Sequence, residues 1–269
     1  MVYADLHVHT DNSDGRLSLE AVPAAAREAG VSVVAITDHD RPHPSLDAPI
    51  VERGDITIVH GIELRVEAAS QRVDLLGYGI EETPALQQET ERLAADRLQR
   101  GRKIKRCLEA ELGVELDLTV DEGTGRPHLA RAVVAHPETE YDSLKPVFLD
   151  LIGDGRECFV SRDVPSFERG VELLDEAARV VGLAHPFRYE DPSDALALCS
   201  DLDAVERYYP YDRPLTGETT VDMDLLAAVI EEQDLLQTGG SDSHTMEIGR
   251  TGLDQEAYGP VRAALLPHS

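Results

Sequence analysis

A chain of 269 residues with 52 acidic and 25 basic side chains carries a formal net charge of −27. Most of such a surface repels phosphate backbones, which argues against broad binding to duplex nucleic acid, and no stretch reaches the ~18–20 apolar residues needed to cross a membrane. Only Lys103, Lys105 and Lys145 are lysines, a balance expected of a high-salt cytoplasm, where screening cancels the self-repulsion.

Met1 leads straight into a strand-like run with no basic or apolar leader, so a cytoplasmic protein is expected. Val2 to Val8 reads as a first strand, and Ser18 to Ala29 as a helix capped by Ser18 and stopped by Gly30. Val31 to Thr37 is continuously apolar and β-branched, the pattern of a strand buried on both faces. Ile56 to His60 and Arg72 to Tyr78 are further strands. From Pro84 the strand signal fades into a long helix to Leu112, a turn holding Gly123 and Gly125, and helices near 129–135 and 144–152. The rhythm then returns: helix 166–179, strand 180–184, strand 204–209, helix 221–233 and a strand ending at Gly239-Gly240. The order predicts an α/β protein with a largely parallel sheet or barrel over residues 1–83 and 166–269, carrying a mostly helical insertion over 84–165. Cys107, Cys158 and Cys199 are widely spaced and odd in number. A disulfide framework or thiolate metal site is not expected from them, and a reducing compartment fits.

The apolar runs share one feature: they end in His, Asp or Glu. His7-Val8-His9, Asp38-His39-Asp40, Gly61-Ile62-Glu63, Ala184-His185-Pro186 and Asp242-Ser243-His244 all follow strand-like segments. Side chains at i and i+2 on a strand share a face, so Asp5, His7 and His9 are expected to point the same way, and so are Asp242 and His244 if strand geometry persists to them. Imidazole nitrogens with carboxylate oxygens suit Zn²⁺, Mn²⁺ or Fe²⁺, and the pattern points to a metal-dependent hydrolase.

Asp5-Leu6-His7-Val8-His9-Thr10, Ser13-Asp14-Gly15, Thr37-Asp38-His39-Asp40, His60-Gly61-Ile62-Glu63, Ala184-His185-Pro186 and Gly240-Ser241-Asp242-Ser243-His244 resemble, in order, the motifs of the polymerase and histidinol phosphatase (PHP) family. Leu76-Gly77-Tyr78, the run from Gly125 to Arg131 and the run from His185 to Tyr189 are similar to its nucleotide phosphoesterases and 5′-to-3′ exonucleases. The resemblance implies a distorted (β/α)7 TIM-like barrel, two or three divalent metal ions, an insertion over the mouth, and phosphate-ester hydrolysis through a metal-bridging hydroxide. It places His7, His9, Glu63 and Asp242 on a first metal, and Asp14, His39 and His244 on a second. Glu63 and His185 would reach a third, whose remaining ligand in many relatives is a histidine. Here that position is Asp74. Asp242, His244, Glu63 and the His7/His9 pair would thus be the catalytic set.

Phosphate must also meet cations. Arg97, Arg100, Arg102, Lys103, Lys105 and Arg106 crowd six basic residues into ten positions. They form either a solvated helix face with i,i+4 partners such as Glu109 or a phosphate clamp with Arg102 and Lys103 foremost. Arg126 and His128 in Gly-Arg-Pro-His, at a helix start, are further candidates, as is Arg188; the alternative for Arg126 is a structural ion pair. Asp5, Asp38 and Asp40 are expected to orient imidazoles, and His60 to be structural. His43, His136 and His268 read as surface residues. Tyr208, Tyr209 and Tyr211 either stack on a base or pack at the rim, and Glu206 closes an ion pair. The expected substrate is a small phosphorylated molecule, a nucleotide or short 5′-phosphorylated oligonucleotide. The alternatives are a histidinol-phosphate-type phosphatase, or a non-catalytic metal-stabilised module that binds nucleic acid or a polymerase.

Overall fold

β-Branched runs bounded by turns pair early in the chain, as expected for strands buried on both faces. The computed structural model, which describes residues 1–212 and 220–266, opens with β1 (Ala4–Val8), α1 (Val22–Ala29), β2 (Val33–Ile36), β3 (Ile50–Arg53), β4 (Ile56–Glu67) and β5 (Arg72–Tyr78). Then come α2 (Pro84–Leu112), α3 (Arg126–Ala135), α4 (Leu144–Val147), α5 (Phe167–Ala177), β6 (Val180–Leu183), α6 (Pro192–Ala197), β7 (Ala204–Tyr208), α7 (Met223–Gln233), β8 (Leu236–Gly239) and α8 (Gln255–Leu265). The sheet runs β1-β2-β4-β5-β6-β7-β8, with β3 beside β4. It curls until the segment after β8 reaches β1, where the His9 amide donates to the Ser243 carbonyl at 3.0 Å. This is a mixed α/β fold of the distorted TIM-like kind.

The expectation of a largely parallel sheet needs correction. β4 pairs in parallel with β2 through residues 57–60, then turns antiparallel against β5 from Gly61 onward, and β5 and β6 are also antiparallel. The cause is a tight hairpin between β4 and β5, in which the Ala68 amide donates to the Gln71 carbonyl at 2.9 Å. A hairpin leaves no room for a crossover helix. Gly61 is the bend: a Cβ there would stand 2.9 Å from the Gly77 carbonyl oxygen and 3.0 Å from that of Ile36.

Three smaller elements also differ from expectation. The α1 helix begins at Val22, with Pro23 in its first turn, and Ser18 contributes only its carbonyl, to Ala21 and Val22. The edge strand β3 was not expected. The α8 helix, unpredicted and continuous through Pro260, is held by buried Tyr258, Val261 and Leu265. These three join Ala4, Leu6, Tyr78 and other inward strand residues in the main core. A second layer, Val22 and Ala26 of α1 against Val34, Ile36 and Ile58, covers the outside of the first strands.

The chain divides into two units, residues 1–87 with 164–269, and residues 88–163. The smaller unit has its own core, with Ile104, Leu108, Leu129, Val133 and Val147 fully or almost fully buried. It also contains a disulfide, Cys107–Cys158, with Cα atoms 5.4 Å apart. That overturns the expectation from cysteine spacing. The partners lie 51 residues apart and meet through packing that spacing does not reveal, and cysteine use no longer argues for a reducing compartment. Among the described residues no helix is long and apolar enough to cross a membrane.

Candidate metal centre

Strand ends and the turns after them bring the predicted side chains together in the larger unit. His7 is the penultimate residue of β1 with His9 just beyond its end; His39 follows β2; Glu63 sits where β4 changes partner; His185 follows β6; Asp242 and His244 follow β8. Asp14 comes from the turn after His9. Gly240 permits the approach of the last strand, because a Cβ there would lie 2.3 Å from the His7 amide nitrogen. Among the described residues, three of the four non-glycine residues with positive φ lie in or beside this cluster: Asp40 (58°), His185 (27°) and Asp242 (48°). Such conformations cost roughly 1–3 kcal/mol each and persist where the surroundings impose them.

Glu63 is the hub. Its Oε1 lies 2.9 Å from His185 Nε2 and 3.5 Å from His7 Nε2, and its Oε2 lies 2.7 Å from His39 Nδ1 and 3.4 Å from His9 Nε2. Asp242 Oδ1 is 3.3 Å from His9 Nε2, 3.7 Å from His7 Nε2 and 3.4 Å from His244 Nδ1. Asp14 Oδ1 is 3.2 Å from His244 Nε2 and 3.9 Å from His39 Nε2. Three overlapping groups have donor atoms close enough to share an ion: His9, Asp14, His39 and His244; His7, Glu63 and His185; His7, His9 and Asp242.

The donor set fits divalent metal. His7 Nε2 and both ring nitrogens of His9 are buried without a hydrogen-bond partner, a state that costs about 1–3 kcal/mol per group unless a ligand satisfies it. Nitrogen and carboxylate oxygen donors without sulfur match Mn²⁺, Fe²⁺ and Zn²⁺. Protonation in the metal-free chain follows the same contacts. Burial alone would lower His39, but the adjacent Glu63 carboxylate overrides it and holds the imidazole up to about 9. Burial and then the neighbouring His39 hold His9 down to about 4. Carboxylates raise His7, His185 and His244 against burial, while Asp14, Glu63 and Asp242 stay well below the usual carboxylate range because imidazoles face them.

These shifts carry a sign. A histidine raised in the folded state contributes stability below its unfolded value near 6.5, and loses it as pH climbs through about 9. His9 titrates between about 4 and 6.5 and opposes the trend only there. The melting temperature of metal-free protein in constant salt should therefore fall from pH 6.5 to pH 9, and Mn²⁺, which replaces those protons, should abolish the fall. Equal slopes with and without Mn²⁺ would rule this out.

Several neighbours do other work than expected. Asp5 accepts from the Ser241 amide (2.8 Å), the Ser241 hydroxyl (2.6 Å) and the Gly249 amide (2.7 Å), and burial raises its carboxyl to about 6. The β1 register shifts between Asp5 and Val8, so strict alternation does not carry from Asp5 to His9. Asp38 binds the Thr10 amide and hydroxyl and the Ser13 hydroxyl at 2.6–2.7 Å, and Asp40 Oδ1 accepts from the Arg65 amide at 3.2 Å. The carboxylate that orients an imidazole is Glu206, fully buried on β7. Its Oε1 is 3.0 Å from His7 Nδ1, and its Oε2 accepts from the His185 amide at 2.8 Å. An acid inside the apolar run Ala204-Val205-Glu206 was the available signal, since buried charges need partners. Tyr209, expected to stack or pack, instead donates its hydroxyl to Asp242 Oδ2 at 2.8 Å.

Glu206→Gln tests this orientation. The amide can satisfy only one of the two donors, and turning its NH₂ toward His7 moves the imidazole proton onto the nitrogen that faces the cluster. A loss of about 10–100-fold in Mn²⁺ affinity is expected, read by calorimetric titration. Wild-type affinity would remove Glu206 from this role.

Asp74 is bound to Arg65 through two contacts, Nε–Oδ1 at 2.5 Å and Nη2–Oδ2 at 2.6 Å, and belongs to none of the three groups. Arg188 follows His185 in a short 3-10 turn and is partly exposed. In the smaller unit Arg102 and Lys103 are exposed, and Lys105 makes the i,i+4 pair with Glu109 at 3.4 Å. Arg100 is buried, with Nε donating to the Val160 carbonyl at 2.6 Å, so it is no solvated helix residue. Arg126 pairs with Asp154 at 2.9 Å and lies over the rings of Phe148 and Phe159, 5.9 and 5.7 Å from their centroids. His128 Nδ1 accepts from the Gly125 amide at 3.1 Å, closing the first turn of α3. His43 is buried, correcting its surface reading, because its Nδ1 accepts from the Ser45 amide at 3.2 Å inside the turn. His60 is buried too, His136 is partly exposed, and His268 lies outside the described residues.

Comparison with known proteins agrees with this geometry. A family model described as PHP domain matches residues 5–182. The phosphoribosyl 1,2-cyclic phosphate 1,2-diphosphodiesterase of Eggerthella lenta is 29% identical over 255 residues, 89% of this chain and 93% of its own. The 3′,5′-nucleoside bisphosphate phosphatase of Chromobacterium violaceum is 29% identical over 198 residues, 71% of this chain and 69% of its own. The 5′-3′ exoribonuclease Rnm of Escherichia coli is 27% identical over 269 residues, 93% and 89% respectively. Among solved structures, a Bifidobacterium adolescentis protein assigned as a metal-dependent phosphoesterase superposes with a TM-score of 0.76 at 22% identity, over 99% of this chain and 97% of its own.

Proposed function

Because the chain belongs to the PHP-domain family, we propose that its metal-dependent phosphoesterase centre acts on nucleotides or short 5′-phosphorylated oligonucleotides. One observation carries the reading: His7 Nε2 and both ring nitrogens of His9 are buried without a hydrogen-bond partner, while Glu63 and Asp242 oxygens stand 3.3–3.7 Å from the two Nε2 atoms. Divalent ions held there supply Lewis acidity to phosphoryl oxygens and lower the pKa of water. The donor set supports two ions, of Mn²⁺, Fe²⁺ or Zn²⁺: one on His7, His9, Glu63 and Asp242, and one on Asp14, His39 and His244.

The protein's own part is to hold these donors in place. Glu206 fixes the ring of His7 and the backbone at His185, and Tyr209 steadies Asp242. Arg188, beside His185, is a candidate phosphate ligand. Arg102 and Lys103, exposed in the smaller unit, remain candidates as well. Arg126 and His128 do so less readily, since both already have partners.

The Eggerthella lenta relative, matched over 93% of its length, brings in a second substrate class, a ribose 1,2-cyclic phosphate. The deciding experiment loads the protein with Mn²⁺ in high salt and follows release of inorganic phosphate and of mononucleotides. Its substrates are a 3′,5′-bisphosphonucleoside, a short 5′-phosphorylated RNA, a ribose cyclic phosphate and histidinol phosphate. Release from either of the first two supports the proposal. Turnover of the cyclic phosphate alone, or of histidinol phosphate alone, moves the assignment to that substrate. Bound metal with no release from any of them leaves a non-catalytic module.

A further inference from the structure

Arg65 and Asp74 are directly opposite each other in the β4–β5 hairpin, as Cα partners in its register. The Asp74 side chain is 1% exposed, and both its oxygens are taken by the Arg65 fork. Asp74 Oδ2 is also 3.8 Å from His185 Nε2, which in turn is 2.9 Å from Glu63 Oε1. The pair therefore stands at the end of the cluster where a third ion would sit between Glu63, His185 and residue 74.

A neutral imidazole at position 74 would need no counter-charge, but a buried carboxylate does. It can take that charge from an ion or from the protein, and here the opposite strand supplies a guanidinium in bidentate geometry. A dication added beside Asp74 would face that fixed cation and share a carboxylate whose charge is already neutralised. The Arg65 side chain is 36% exposed. Nε and Nη2 make the Asp74 contacts, and among the described residues none bonds to Nη1.

We propose that the Arg65–Asp74 pair replaces a third metal ion, so that the centre holds two ions and Arg65 offers Nη1 to a phosphoryl oxygen of the substrate. The inference rests on the cluster being a metal centre, as argued above. It makes Arg65 a binding residue for phosphate and Asp74 the residue that positions it.

The test counts ions. The full chain is loaded with Mn²⁺, freed of loose ions by desalting and analysed by mass spectrometry for metal per chain, with thermal melts confirming folding. Wild type should retain two. Arg65→Ala leaves Asp74 unpaired beside His185 and Glu63, and should retain three; Arg65→Lys should return the count to two. Should Arg65→Ala fail to fold, Arg65→Gln, which keeps hydrogen-bonding capacity without the charge, carries the same expectation. Inorganic phosphate, used as the anionic probe, should bind the Arg65→Ala protein at least about tenfold more weakly than wild type. Three ions on wild type would overturn the proposal, as would a count of two that removal of the charge leaves unmoved. Phosphate affinity unchanged in both neutral variants would overturn the contact to Nη1. A wild-type chain that retains no ion would instead bring down the metal-centre reading itself.

Discussion

His9→Ala is expected to lower kcat/KM for phosphate release by more than about 10³-fold, since a Lewis-acid site is worth several kcal/mol and each 1.36 kcal/mol is a decade in rate. His9 belongs to two of the three ligand groups, and its Nε2 faces both Asp242 and Glu63 at 3.3–3.4 Å. Its loss should empty more than one site, so metal per chain must fall with activity. Adding His7→Ala should cost little more, because residues that act as a unit lose their effect together. Stability should move differently. Both nitrogens of His9 are buried without partners, and removing unsatisfied polar atoms offsets part of the cost of the cavity left behind. The metal-free His9→Ala protein should thus melt close to metal-free wild type, while the metal-loaded proteins diverge. Full activity in His9→Ala would sink the metal mechanism.

How much of this was legible in the sequence depends on whether a residue's role is local. His7, His9, His39, Glu63, His185, Asp242 and His244 each end an apolar run, and a strand that ends in a polar residue announces where that residue emerges. The cluster they form could be read before any contact was known. The direction of a neighbouring carboxylate could not. Asp5 and Asp38 lie as close in sequence to ligands as any orienting residue would, yet they tie down the turns at Ser241, Gly249 and Thr10. The orienting carboxylate comes from β7, and it meets His7 only because the sheet curls. Arg65 is illegible in the sequence for the same reason. On one strand it is an ordinary cation two residues past Glu63, and it becomes the partner of Asp74 only once the hairpin register is fixed. The disulfide and α8 are non-local in the same sense: packing decides them against spacing in one case and against Pro260 in the other.

Glu63→Gln should equal His9→Ala in its effect on turnover, a loss of more than about 10³-fold, although it preserves side-chain volume. Glu63 places one oxygen between His7 and His185 and the other between His9 and His39. An amide keeps one acceptor and turns an NH₂ donor toward the other pair, so one ion loses its ligand and the other loses half the charge that held it. The same substitution has a second readout. Glu63 is the principal group raising His39 toward 9 against the effect of burial, and the Gln variant should therefore lose most of the fall in metal-free melting temperature between pH 6.5 and 9. Glu206→Gln removes the charge that raises His7 but leaves the one that raises His39, so it should keep the His39 part of that pH slope and weaken metal by about 10–100-fold. If the two glutamine variants proved equally damaging, Glu206 would have to act on the ions directly, and the division between the residue that binds and the residue that orients would fall.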